Sequence, residues 1–102
     1  MRGLLIDGFH PDRPHRLSPR VGLRPEPFGA LAYHFDNRRL VFLKSPQLVA
    51  LVRSLEEHDT LAGAVAQVID SSDVTAERGD RLRRNYLKAL ASLAEAEVIC
   101  ER

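Results

Sequence analysis

Alternation of apolar with polar or small residues in the first half of the chain predicts three β-strands. The first alternation covers residues 20–24 and ends at Pro25, because proline cannot donate a hydrogen bond to a sheet. The second covers residues 30–35, with bulky side chains on one face and small ones on the other. Asp36-Asn37 is typical of a turn, and residues 39–44 return as a third strand. We expect an antiparallel meander in which the second and third strands form a hairpin.

The second half of the chain changes to a helical period and predicts three helices, each with an apolar stripe. Ser45 followed by Pro46 is typical of a helix start, with a hydroxyl cap and a proline at the first helical position. Asp59 or Thr60 would cap a second, short helix. The start of the third helix is left open between residues 75 and 80.

Three strands followed by three helices predict an α+β fold with a winged-helix-like topology. Residues 1–19 contain three prolines and two glycines without any period, and they are expected to form an extended N-terminal arm. Residues 20–102 are then the domain itself, which closes with a short extended tail at residues 98–100. A chain of 102 residues has room for one hydrophobic core.

Composition excludes several classes of protein. A single cysteine, Cys100, excludes an internal disulfide and a cysteine-based zinc site. The four histidines include no short pair on one helical face, so neither a metal nor a cofactor is expected. No set of nucleophile and base converges, so the chain is not expected to be an enzyme. No apolar run approaches the ~20 residues of a membrane span, and none is long enough for a signal peptide, so we expect a cytoplasmic protein without a membrane partner.

The third strand has the most unusual pattern. Residues 40–43 are all apolar, so both faces of this strand need cover. As the last strand of a meander it is also a sheet edge, with a free row of N–H and C=O groups. Such an edge is typical of a docking site for another strand. Cover by the N-terminal arm, or pairing with a second copy in a structural homodimer, would satisfy the same pattern, and both stay open.

A DNA-binding winged helix is the alternative function. Arg81, Arg83 and Arg84 lie along the third helix, the element that enters the major groove in helix-turn-helix proteins. Arg38-Arg39 lies beside a hairpin turn that could act as a wing. However, acidic residues surround this surface, and a net charge of +1 gives little affinity for phosphates. No nucleic-acid partner is therefore expected.

One set of short motifs matches a known family. The motifs are Arg-Pro-Glu-Pro-Phe-Gly-Ala-Leu at residues 24–31, then Tyr33, Arg38-Arg39-Leu40 and Phe42-Leu43-Lys44-Ser45. With them the chain, from about Pro14 to Ile99, resembles the MftB family of mycofactocin-system peptide chaperones, which belongs to the PqqD-like peptide-recognition elements. The chain departs from the family at Ala96-Glu97, where many relatives have glycine.

The resemblance implies a non-catalytic role. Such chaperones bind the leader of a ribosomally made precursor peptide and present it to a radical S-adenosylmethionine (SAM) maturase, which in mycofactocin biosynthesis decarboxylates and crosslinks a C-terminal Val-Tyr. Relatives bind the leader as a strand added to the third strand, in the cleft against the third helix. Transferred to this sequence, the implied peptide-binding residues are Arg39, Leu40, Val41, Phe42, Leu43, Lys44, Arg83, Tyr86, Leu87 and Leu90.

Alternation along the third strand divides its side chains between two faces. Leu40 and Phe42 share one face, and Val41 and Leu43 share the other. We predict that Leu40 and Phe42 are the core pair, since an aromatic ring gains most from full burial. Val41 and Leu43 would then line the leader cleft.

Overall fold

The computed structural model describes residues 9–102, and the first eight residues of the predicted arm lie outside this range. Within it, five strands, three α-helices and one 3₁₀ turn follow one another along the chain. Their bounds are β1 His15–Leu17, β2 Val21–Glu26, β3 Gly29–His34, β4 Leu40–Leu43, α1 Pro46–Ser54, the 3₁₀ turn Leu55–Glu57, α2 Leu61–Asp70, α3 Ala76–Glu95 and β5 Ile99–Glu101.

The central element is an antiparallel sheet with the strand order β2-β3-β4. Val21 lies opposite His34 in the β2–β3 ladder, and Leu40 lies opposite Tyr33 in the β3–β4 ladder. The three helices follow this sheet in the chain. The predicted α+β, winged-helix-like fold is therefore confirmed, including the hairpin of its second and third strands.

The two ends of the described chain pair with each other in a second, small sheet. β1 lies antiparallel to β5, with His15 opposite Glu101. Next to this ladder, the Ser18 N–H donates to the Val98 carbonyl at 2.9 Å. Part of the predicted arm is thus a strand, and the predicted tail is its partner. The domain boundary at residue 19 stays a prediction.

Side-chain caps fix where the helices begin. The Ser45 hydroxyl accepts a hydrogen bond from the Leu48 N–H at 3.2 Å, with Pro46 in the first helical position, as predicted. Thr60 caps α2 and Thr75 caps α3 in the same way. These two threonines decide between the helix starts that the sequence left open.

The C-terminus of α3 ends in a left-handed residue. Glu97 has a φ of 66°, its N–H donates to the Ala94 carbonyl at 3.0 Å, and the Val98 N–H donates to the Leu93 carbonyl at 2.8 Å. This pair of hydrogen bonds is a Schellman motif, whose left-handed position favours glycine because glycine has no Cβ. A glycine at position 97 would therefore adopt this backbone with less strain than Glu97 does.

The core lies between the helices and one face of the sheet, which we call the inner face. The inner face carries Ala30 and Ala32 of β3 and Leu43 of β4, all of them buried. The two alanines leave room for α1, which packs across β3. Leu51 of α1 and Leu90 of α3 are also fully buried in this core.

The predicted core pair of β4 is wrong. Leu43 is 0% exposed and Val41 packs against the core, whereas Leu40 and Phe42 are 60% and 59% exposed. The reason lies in the neighbouring strand, because the small side chains opposite Val41 and Leu43 face the helices. Side chains that lie opposite each other share a face of the sheet, so Val41 and Leu43 must point inwards. Burial favours the Phe42 ring only on the face that the helices cover.

Candidate functional site

β4 is one edge of the three-stranded sheet, and the direction of its backbone groups can be worked out from the ladder. The His34 N–H donates to the Arg39 carbonyl at 3.0 Å, just beyond the last strand pair. Hydrogen-bonded and non-hydrogen-bonded pairs alternate along an antiparallel ladder. Val41 and Leu43, two and four residues further on, therefore also turn their N–H and C=O groups towards β3.

Leu40 and Phe42 turn their backbone groups the other way, out of the sheet. Within residues 9–102, neither residue makes a backbone–backbone hydrogen bond outside the regular ladders. Their two N–H donors and two C=O acceptors have the spacing that an added antiparallel or parallel strand requires. This row of four groups is what we call the β4 free edge.

The opposite edge of the sheet, on β2, is less available. The Val21 N–H already donates to the Ser18 carbonyl at 3.1 Å. The Phe35 N–H donates to the Arg20 carbonyl, so these two residues form a hydrogen-bonded pair of the β2–β3 ladder. Because hydrogen-bonded and non-hydrogen-bonded pairs alternate from there, the backbone of Pro25 faces away from β3. Proline has no N–H to offer there. β4 is thus the edge with the more complete set of free groups.

The residues predicted to line the cleft include half-buried apolar side chains on β4 and on α3. Val41 on β4, and Tyr86 and Leu87 on α3, pack against the core while part of each side chain remains exposed. Arg83 lies one turn earlier on α3, and its guanidinium donates to the Asp80 carboxylate at 2.9 Å. The main packing partners of α3 are α2 and β5. Those of β4 are β3 and α1, so a cleft formed by β4 and α3 together stays a prediction.

Two of the predicted site residues lie inside the protein. Leu43 and Leu90 are 0% exposed, so their side chains belong to the core and support β4 and α3 from within. Four other residues of the predicted site, on or beside β4, are exposed: Arg39, Leu40, Phe42 and Lys44. Their contacts with a peptide stay a prediction.

The turn that leads into β4 is held by an ion pair. The Arg20 guanidinium donates to both carboxylate oxygens of Asp36, at 2.6 and 3.0 Å. These hydrogen bonds hold the pKa of Asp36 below its ordinary value. The predicted turn residue Asn37 accepts a hydrogen bond from the Arg39 N–H at 2.9 Å, but the left-handed residue of the turn is Arg38, with a φ of 62°.

A close backbone contact within the motif at residues 24–31 positions the other end of β4. Gly29 has a φ of 150°, and a Cβ at this position would collide with the carbonyl oxygen of Leu43. Glycine is needed here for both its backbone conformation and its size. The motif thereby contributes to the position of the strand that carries the free edge.

No exposed apolar face was predicted on the side of the sheet opposite the helices, which we call the outer face. Two pairs of aromatic rings lie on it: Phe28 against Phe42, with centroids 5.8 Å apart, and Tyr33 against Phe35, at 5.6 Å. A signal for this face exists in the sequence, since residues 30–35 have a bulky side and a small side, and the helices pack on the small side. The apolar side chains of the outer face are those of Phe28, Leu31, Tyr33, Phe35, Leu40 and Phe42, and β2 adds Gly22 and Arg24 to this face.

The buried histidines serve local structure. The Nδ1 atom of His15 lies 2.9 Å from the Arg13 carbonyl oxygen, and the Nδ1 atom of His34 accepts a hydrogen bond from the Asp36 N–H at 3.2 Å. Among residues 9–102, no three His, Cys, Asp or Glu side chains are grouped so that they could hold a metal ion. None of the helices in this range has the length and apolar character needed to cross a membrane.

Comparison with known proteins gives a consistent result. The model of the "Peptide chaperone MftB family" matches residues 14–100. A protein named "Peptide chaperone MftB" from Mycobacterium ulcerans (strain Agy99) is 42% identical, with 97% of this chain and 94% of that protein covered. Proteins of the same name from Mycobacterium tuberculosis (strain ATCC 25618 / H37Rv) and Mycolicibacterium smegmatis (strain ATCC 700084 / mc(2)155) are 39% and 38% identical, over 92% and 89% of this chain and 79% and 81% of theirs. No solved structure matches the chain at a significant level.

These relatives are named as chaperones, and a chaperone has a non-catalytic role. The names therefore agree with the prediction that the chain is not an enzyme. The family model covers most of the chain, and the relatives extend the similarity over nearly its full length. The chain belongs to the peptide chaperone MftB family.

Proposed function

We propose that the protein binds the leader of a ribosomally made precursor peptide as an additional strand on the β4 free edge, and that it presents the peptide to a radical SAM maturase in mycofactocin biosynthesis. The observation that carries this proposal is the outward direction of the Leu40 and Phe42 backbone groups at a sheet edge. Membership of the peptide chaperone family supports it independently.

Strand addition accounts for the pattern of burial on β4. Main-chain hydrogen bonds give affinity in this mode of recognition, and pockets for alternate side chains give specificity. A leader strand beside β4 would place every second side chain on the inner side, next to the half-buried Val41. The intervening side chains would lie beside Leu40 and Phe42 on the outer side.

The DNA-binding alternative has less support. Arg83, one of the three arginines that suggested a recognition helix, is paired with Asp80 on its own helix. The relatives are named as peptide chaperones. Presentation of a leader therefore explains more of the molecule than recognition of phosphates does.

A proline on the free edge tests this proposal directly. Phe42→Pro removes an N–H that β3 does not use, so the sheet itself should tolerate the change. The same N–H is a donor that an added strand needs, and the proline ring obstructs its approach. We expect leader affinity to fall at least about tenfold, because one lost hydrogen bond and a steric conflict act together. The measurement is a titration with a fluorescently labelled synthetic leader peptide.

Phe42→Thr is the matched control, since it removes the same aromatic ring and keeps the N–H. We expect its leader affinity to stay within about threefold of the wild type, as the main chain provides most of the affinity. Leu40→Pro with Leu40→Thr is a second, independent pair at the other outward position. If folded proline variants bind the leader as tightly as their threonine controls, strand addition at β4 is wrong.

A further inference from the structure

We propose that the outer face of the sheet is the surface on which the maturase docks, and that a leader bound to β4 completes this surface. The inference rests on the proposed function, because it names the part of the chaperone that contacts the enzyme. It concerns a different surface from the leader cleft, on the opposite side of the same sheet.

Exposed apolar side chains are concentrated on this face. The exposed large hydrophobic residues of the described chain are the outer-face residues Phe28, Tyr33, Phe35, Leu40 and Phe42. A shallow depression beside Tyr33 and Leu40 is lined by Leu31 and by three residues of β2: Gly22, Leu23 and Arg24. A contiguous exposed apolar patch is typical of an interaction surface, and aromatic residues are enriched at such surfaces.

The rings on this face support one another. Phe35 lies across Gly22, close enough that a Cβ on the glycine would come within 3.2 Å of the ring. Phe35 also makes an edge contact with Tyr33, as Phe28 does with Phe42. Phe35 nevertheless remains 53% exposed. Rings held in this way lose little conformational freedom when a partner covers them, which favours binding.

The charges around the face indicate what kind of partner fits. Arg38 and Arg39 lie at one end of β4 and Lys44 at the other, and none of them forms an ion pair within residues 9–102. The nearby acids Glu26 and Asp36 are already paired with arginines. The outer face is therefore apolar and adjoins a strand whose two ends are positive, so it complements an apolar surface with acidic groups beside it. A second copy of this chain would bring the same three cations, so like charges would oppose a homodimer here.

Continuity with the β4 free edge connects this face to the leader. Leu40 and Phe42 direct their backbone groups to the free edge and their side chains to the outer face. A leader strand would lie about 4.8 Å further out and extend the outer face by one strand. An enzyme that docks on the face would then touch the chaperone and the leader together. Its affinity for the chaperone–leader complex should exceed its affinity for the chaperone alone, and by linkage the enzyme should tighten leader binding by the same factor.

A double variant outside β4 separates the two surfaces, because neither of its residues contributes a backbone group to the free edge. Tyr33 and Phe35 lie on and just after the central strand, so Tyr33→Ser with Phe35→Ser should leave leader affinity within about twofold of the wild type. Affinity of the chaperone–leader complex for the purified maturase should fall at least about tenfold, as expected for loss of aromatic anchors. Circular dichroism confirms that the variant is folded.

A charge reversal supplies a second comparison. Arg38→Glu should weaken maturase binding, and the effect should shrink at high salt. The matched control is Arg53→Glu, an exposed arginine on α1, which packs on the other side of the sheet. Arg53→Glu should bind the maturase as the wild type does.

Each remaining outcome has a defined meaning. Unchanged maturase affinity in the double variant overturns the inference, as does a parallel loss of leader affinity, which would assign the face to the leader. A wild-type dimer in sedimentation that the double variant dissolves would assign it to a second copy and overturn the inference as well. If the wild type does not bind the leader at all, the proposed function fails. In that case, titration of the leader-free chaperone with the maturase still tests the docking surface.

Discussion

Gly29 is the residue on which the position of β4 depends most directly. Its φ of 150° and its contact with the Leu43 carbonyl leave no room for a side chain. We predict that Gly29→Ala lowers the free energy of unfolding by about 2–4 kcal/mol, because backbone strain and a steric collision act at one site. Unfolding in urea measures this loss. A stability equal to that of the wild type would show that β3 and β4 do not approach so closely.

Leu43 and Phe42 are neighbours in sequence with opposite surroundings, so they are matched controls for each other. Leu43→Ala should lower the free energy of unfolding by about 2–5 kcal/mol, since it leaves a cavity in the core. Phe42→Ala should change it by about 1 kcal/mol or less, because the ring is 59% exposed. Thermal melts of both variants provide the comparison. Equal losses would mean that both faces of β4 are covered within the protein.

At the scale of elements, local rules account for most of what the sequence predicted. The cap at Ser45, the proline at the first helical position and the period-two runs each act within a few residues, and they are confirmed with one exception. The predicted end of the first strand at Pro25 is wrong, since β2 continues to Glu26. Proline is tolerated there because β2 is an edge strand and the missing N–H would face away from β3. The place of β4 at the edge of the sheet also followed from the order of the strands. The left-handed backbone of the β3–β4 turn is at Arg38 rather than at Asp36-Asn37, a difference of one position within a turn.

The errors concern contacts between distant parts of the chain. The strands β1 and β5 are three residues long and more than 80 residues apart, so neither carries a local signature of its partner. The face of β4 that is buried depends on where the helices pack, which the β4 sequence does not contain. The small side chains of Ala30 and Ala32 on the adjacent strand held that information. The candidate cleft came from the family resemblance, and Leu43 and Leu90 within it are core residues.

The link between β2 and the β3–β4 turn should depend on pH. Hydrogen bonds from Arg20 lower the pKa of Asp36, so the ionised carboxylate is favoured in the folded state. The stabilisation is complete above the unfolded pKa of about 3.9 and is lost as the pH falls through the lower folded value. We predict that the wild type loses more stability on acidification from pH 5 to pH 3 than Asp36→Asn does.

Removal of the other partner is the control for this prediction. Arg20→Gln takes away the hydrogen bonds that lower the pKa of Asp36, so it should flatten the same part of the pH profile. Chemical unfolding at several pH values measures all three proteins. If the stability of all three proteins changes in parallel below pH 5, the Arg20–Asp36 pair makes no contribution to folding stability.

At the scale of the whole molecule, the sheet separates two surfaces with different surroundings. The helices cover its inner face, aromatic rings lie exposed on its outer face, and the β4 free edge lies between the two. A peptide added at this edge would contact both sides. This arrangement suits a protein that holds one chain while another protein works on it.

Amide hydrogen exchange, followed by NMR with and without a synthetic leader peptide, tests the central claim most directly. In a strand added to β4, the N–H groups of Leu40 and Phe42 gain acceptors, whereas those of Val41 and Leu43 already have partners in β3. The account therefore predicts that the leader slows exchange at Leu40 and Phe42 at least about tenfold and leaves Val41 and Leu43 nearly unchanged. Protection that does not alternate along β4, or that appears on β2 instead, would contradict strand addition at this edge.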